Sequence, residues 1–158
     1  MIKIGHLFVV ATPIGNMNDI TFRAVDVLRT VDFIAAEDTR VTKKVLQRYG
    51  VSTPIKSYHD FSSAEDREKI LSSLLKGNSI ALVSDAGTPL VSDPGYRLLN
   101  MARSLKIPVK PVPGACAVIA ALCVSGLATN SFQFDGFIPA KTLSKKKYFE
   151  SILFEERS

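Results

Sequence analysis

The chain has 158 residues, is 46% hydrophobic and 22% charged, and carries a net charge of +5 with a sequence pI near 9.3. Such a chain is long and apolar enough for one domain with a sizeable core, which excludes a disordered or low-complexity protein. The positive balance suits an anionic partner. No apolar run approaches the ~20 residues of a membrane span, and two cysteines make no disulfide framework, which fits a reducing compartment.

Residues 6–12 (HLFVVAT) form a continuous apolar run, the pattern of a buried parallel strand, and end at Thr12-Pro13. PIGNMND then reads as a loop, in which Gly15 permits a tight turn or the close approach of a ligand. Asp19 is predicted to cap a helix whose apolar positions are Phe22, Val25, Leu28 and Val31. DFIAAEDTR gives a second strand followed by a polar turn. The next segment has helical spacing at Val41, Val45 and Leu46, and Gly50 can terminate that helix. TPIKSYHD is a third strand. Ser62 and Glu65 make a capping-box pattern ahead of Ile70, Leu71, Leu74 and Leu75, and Gly77-Asn78 closes that helix.

SIALVS is a fourth buried strand, and Asp93-Pro94 is predicted to start the helix after it. IPVKPVP, with its prolines and lysine, suits a fifth strand near a sheet edge. Gly114 opens an apolar helix at residues 115–124, where Cys116 and Cys123 fall seven apart as buried thiols. Gly126 and LATN form a hinge. Phe132 and Phe134 alternate with polar residues like a new strand, and a short helical segment with Lys141, Lys145, Lys146 and Lys147 follows.

Strands alternating with helices predict an α/β fold: an open, mostly parallel five-stranded sheet with helices on both faces and right-handed crossovers. Residues 1–125 make this domain. Residues 126–158 are a hinge and the incomplete start of a second α/β domain.

In such a sheet ligands bind beyond the carboxyl ends of the strands. Residues 12–18, 37–40, 84–95 and 113–116 occupy that rim, with His59-Asp60 near it. None matches a dinucleotide or P-loop glycine pattern. Gly87 gives a ligand backbone access, Pro89 stiffens the loop, and Asp85 can accept from hydroxyls or an ammonium. In AAEDTR two readings stand side by side. Asp38 caps the next helix and Arg40 pairs with Glu37, or Arg40 holds a phosphate while Glu37 or Asp38 orients a hydroxyl. His59 is a general base or a surface residue bonded to Asp60. No spacing suggests a metal site.

Three ordered blocks carry a resemblance: VATPIGNMNDITFRAVDVLRTVDFIAAEDTR, IALVSDAGTPLVSDPGYRLL and VPGACAVIAAL, with GFIPAK at residues 136–141. Together they resemble the bacterial family of 16S rRNA ribose 2'-O-methyltransferases, within the tetrapyrrole (precorrin) methylase superfamily. That family methylates a cytidine in the decoding centre of the small ribosomal subunit. The resemblance implies S-adenosylmethionine as cofactor, with Pro13, Asp85, Gly87, Thr88, Pro89, Ala115 and Cys116 near it. Glu37, Asp38, Arg40 and His59 are then the residues to test for catalysis or substrate contact. It further implies 16S rRNA as partner, a cytoplasmic homodimer, no DNA and no membrane, and a second domain forming the other wall of the cleft. A small-molecule methylase of the same superfamily and a non-catalytic RNA-binding fragment are the alternatives.

Overall fold

The structure is a computed structural model that describes residues 4–155 and 157. The chain divides into two compact units, Met1–Cys116 and Ala117–Ser158. The first holds five strands: β1 (Leu7–Val10), β2 (Phe33–Ala36), β3 (Ile55–Ser57), β4 (Ile80–Val83) and β5 (Val109–Val112). They lie in the order β3-β2-β4-β1-β5, and every pair is parallel. The expected fold class is therefore observed, with the proline-bearing β5 at an edge. Pro111 sits there opposite Val9, where a missing N–H costs least.

Four helices cover this sheet: α1 (Phe22–Thr30), α2 (Thr39–Arg48), α3 (Ala64–Leu75) and α4 (Tyr96–Ser104). The central strands β1, β2 and β4 are buried on both faces, so their side chains alternate between two cores, whereas the edge strands β3 and β5 are largely exposed. Phe33, Ala35, Ile80 and Leu82 pack with Ile70 and Leu74 of α3 and Leu98 of α4. Ile34, Ala36, Ala81 and Val83 pack with Leu28 of α1 and Leu46 of α2. Connections β1→β2 and β2→β3 run toward one edge, whereas β3→β4 and β4→β5 run toward the other. Crossovers of a single hand must then place α1 and α2 on one face and α3 and α4 on the opposite one, as seen.

Three predicted helix starts shift. Thr21, not Asp19, caps α1 by accepting the Ala24 N–H at 3.1 Å. Asp19 ends a short 3-10 turn (Met17–Asp19), and Phe22 is almost fully exposed. The box at α3 is Ser63 with Asp66, one residue later than Ser62 with Glu65. Ser62 instead accepts the His59 N–H. α4 begins after Gly95, whose φ of 125° and lack of a capping side chain displace the predicted Asp93-Pro94 start. A Cβ on Gly95 would lie 2.8 Å from Leu82 Cδ2, so helix–sheet packing selects glycine there.

The second unit contains α5 (Ala117–Val124) and α6 (Thr142–Ser151). The predicted strand at Phe132 and Phe134 is absent: among the described residues no strand pairs with this segment, and an alternating pattern without a ladder partner has no sheet to join. The thiols are also not buried as expected. Cys123 is exposed and Cys116 half-buried, and both are free.

Candidate active site at the carboxyl edge of the sheet

Because all five strands are parallel, the loops after them emerge along one edge. β2 and β4 are neighbours whose onward connections run in opposite directions, which makes the gap between their carboxyl ends a topological switch point. Glu37 and Asp38 leave β2 there, and Asp85 follows β4. Two hydrogen bonds lace the loops together. The Asp38 N–H donates to Asp85 Oδ1 at 3.0 Å, and the Asp85 N–H donates to Glu37 Oε2 at 3.3 Å.

The loop after β4 turns back over the neighbouring strand. Thr12, just past β1, exchanges both backbone hydrogen bonds with Gly87 at 2.9 and 3.0 Å. The buried Thr12 hydroxyl donates to the Ser84 carbonyl, and Thr88 Oγ1 donates to the Ala115 carbonyl beyond β5. Gly87 has φ 79°, and a Cβ on it would approach Ile14 Cγ2 to 3.3 Å. Pro13 and Pro89 are buried, the latter almost completely. Leu90 and Ser92 also adopt left-handed backbone, at φ 77° and 59°. Such conformations cost about 1–3 kcal/mol each and persist where surrounding contacts fix them. The predicted cofactor-side residues Pro13, Asp85, Gly87, Thr88, Pro89 and Ala115 thus belong to one hydrogen-bonded group of loops. Cys116 follows Ala115 in the same loop.

AAEDTR resolves into separate jobs. Asp38 caps α2 by accepting the Arg40 N–H at 2.8 Å. It also pairs with the Arg40 guanidinium through Nη2 at 2.5 Å and Nε at 3.0 Å. Arg40 therefore pairs with Asp38 and not with Glu37. The guanidinium hydrogen bonds hold the Asp38 carboxyl down at about 2. Burial pushes the Glu37 carboxyl up. The Asp85 N–H opposes that rise, and the charges of Asp85, Asp93 and Asp60 add to it.

Sequence reasoning passed over Thr12 as the clamp and gave Asp93 to a helix cap. Asp93 is half-buried at the rim, with its carboxyl raised by burial. The Ser84 hydroxyl counteracts the rise, and Asp85 reinforces it. The signal for Asp93 was the following Pro94-Gly95, since a glycine able to take positive φ can start the helix later. His59 makes no hydrogen bond to Asp60. Its backbone N–H donates to Ser62, its ring lies 6.2 Å from the Phe61 ring, and its Nδ1 is buried without a partner. Among the described residues no group of three or more His, Cys, Asp or Glu side chains is placed to hold a metal, and no helix is long and apolar enough to cross a membrane.

The fold that carries this edge has known counterparts. The family model for Tetrapyrrole (Corrin/Porphyrin) Methylases matches residues 6–150. The chain belongs to the tetrapyrrole methylase family. It is 49% identical, over 98% of its length, to ribosomal RNA small subunit methyltransferase I of Haemophilus influenzae, and covers 54% of that protein. It is 53% identical over 89% of its length to the protein of the same name from Vibrio cholerae, covering 49% of it. The chain thus spans about half the length of these curated relatives. Among solved structures it resembles uroporphyrin-III-C-methyltransferase from Thermus thermophilus, with a TM-score of 0.61 and 22% identity over 82% of this chain and 59% of that one. That likeness is one of fold. The resemblance seen in the three sequence blocks and the family assignment agree.

Proposed function

We propose that this chain is the cofactor-binding half of a methyltransferase that uses S-adenosylmethionine to methylate the ribose 2'-hydroxyl of a cytidine in 16S rRNA. The observation that carries the reading is the acidic switch point. The charges of Asp85, Asp93 and Asp60 all bear on Glu37, and that of Asp85 on Asp93, at a rim clamped by the Thr12–Gly87 hydrogen bonds. A carboxylate excess at a cleft fits a ligand carrying both a sulfonium and an ammonium group, and repels a free nucleotide phosphate. Relatives about 50% identical that are named rRNA small subunit methyltransferases support an RNA substrate.

Asp85, Gly87, Thr88 and Ala115 would hold the cofactor, with the bare Gly87 backbone leaving room for close approach. The bound cofactor supplies an electrophilic methyl carbon. The chain's own task is to align the ribose oxygen with that carbon and to take up the hydroxyl proton. Glu37 suits the second role, because burial and neighbouring charges raise its proton affinity. Asp38 does not, because Arg40 keeps it ionised and engaged. The same reading gives a cytoplasmic homodimer whose cleft is completed by a second domain.

The test is nucleoside mass spectrometry after incubating the full-length protein with undermodified small subunits. Appearance of 2'-O-methylcytidine in 16S rRNA is the expected result. Methyl groups appearing only on a base, or only in a tetrapyrrole, would replace this reading with another methylase of the family. RNA binding without cofactor binding would favour the non-catalytic alternative.

A further inference from the structure

α2 starts at the candidate site and carries a feature that folding does not explain. Its inward face is Thr42, Val45 and Leu46. Its outward face is Arg40, Lys43, Lys44 and Arg48, all exposed, and the helix contains no acidic residue. Arg40, Lys44 and Arg48 stack at i, i+4 and i+8, where like charges repel. Arg40 also lies in the first turn of the helix, the end that disfavours cations. Among the described residues Arg40 pairs with Asp38, while Lys43, Lys44 and Arg48 have no ion pair. Only Arg48, in the last turn, is favoured by the helix itself.

We infer that the outward face of α2 is the surface on which the RNA backbone docks, with Lys43, Lys44 and Arg48 contacting successive phosphates. The inference rests on the proposed RNA substrate. The row extends about 12 Å from Arg40 to Arg48, at roughly 1.5 Å per residue. Its proximal end is neutralised by Asp38, and its distal cations are uncompensated. A strand lying on this row would keep its phosphates on the helix. Its target ribose would lie at the Arg40 end, against the acidic rim where a phosphate would be repelled. The geometry separates the two charge demands of the reaction: carboxylates face the cationic cofactor, and lysines face the anionic substrate. Long flexible lysines at exposed positions suit sequence-independent backbone contact.

The experiment compares Lys44→Gln/Arg48→Gln with Arg103→Gln/Lys106→Gln in the full-length protein. The second pair removes the same charge from the exposed last turn of α4 and the turn that follows it. Glutamine keeps helix propensity, and circular dichroism verifies that each variant is folded. Affinity for a single-stranded 16S rRNA fragment is measured by fluorescence anisotropy across a salt series, with S-adenosylmethionine affinity measured by calorimetry. The α2 pair should weaken RNA binding severalfold. It should flatten the log–log salt slope by about 1.4, two contacts at about 0.7 each, with cofactor affinity unchanged. The α4 pair should leave both as in the wild type. An unchanged slope for the α2 pair, in a wild-type protein that binds and methylates rRNA, overturns the inference while the proposed function stands. A wild-type protein that neither binds nor methylates rRNA overturns both.

Discussion

Glu37 and Asp38 are adjacent carboxylates in opposite environments. Asp38 is held at about 2, below its ordinary 3.8, by Arg40 hydrogen bonds. Its folded pKa is depressed, so its stabilising effect is complete above pH 3.8 and lost as pH falls toward about 2. The Asp38–Arg40 pair is exposed on the Arg40 side, so salt should weaken this effect. Glu37 has the reverse sign. Burial favours its protonated form, so the folded state loses stability as pH rises through its raised range. Glu37→Gln should therefore raise the thermal midpoint at pH 7 while lowering methyl transfer with both ligands still bound, the trade-off expected of a residue kept for chemistry. Thermal melts at pH 4 and 7 test this. A midpoint that drops at pH 7 would make Glu37 a brace for the Asp85 N–H and nothing more. Gly87→Ala acts through the backbone instead. With φ at 79° and Ile14 3.3 Å from the new Cβ, it should cost about 1–2 kcal/mol in denaturant melts and weaken cofactor binding.

At the scale of elements, legibility followed burial. The central strands β1, β2 and β4 were readable because each is an apolar run largely buried on two faces, and the helices α1 to α4 because their apolar residues recur at helical spacing. Their starts were less readable, since a cap depends on where the chain enters the helix and several polar residues compete. At α1, Asp19 and Thr21 are both capping types, and the 3-10 turn ending at Asp19 leaves Thr21 the position. Thr21→Ala should thus cost about 1 kcal/mol, and Asp19→Ala close to nothing, in urea denaturation. Equal losses would mean that the entry loop, not the cap, sets the start of the helix. The rim loops were placed correctly because parallel strands bring all their carboxyl ends together. The hydrogen bonds that lace Glu37, Asp38 and Asp85 were not readable. They join residues 47 and 48 positions apart, and no local pattern encodes which backbone N–H meets which carboxylate.

Over the whole chain, stability should be unevenly distributed. Residues 4–116 contain both hydrophobic clusters, and β1, β2 and β4 occupy the middle of the sheet between them. In the second unit, by contrast, α5 and α6 have no buried residue, and Val124, Phe137, Leu143 and Phe154 are more than two-thirds exposed. The sequence signalled this difference imperfectly. α5 is apolar all round, a pattern that suggests a core, yet burial depends on what surrounds a helix and not on its composition. Segments with few buried apolar contacts open at low free energy, whereas central strands exchange only through global unfolding. Hydrogen exchange followed by mass spectrometry should therefore find amides of β1, β2 and β4 protected for the longest times. Peptides from α5 and α6 should exchange orders of magnitude faster. In the full-length protein the α5 and α6 peptides should slow markedly, if the proposed second domain covers their apolar side chains. Protection of α6 equal to that of β4 in the isolated chain would show that residues 117–158 are held by contacts stronger than their exposure implies.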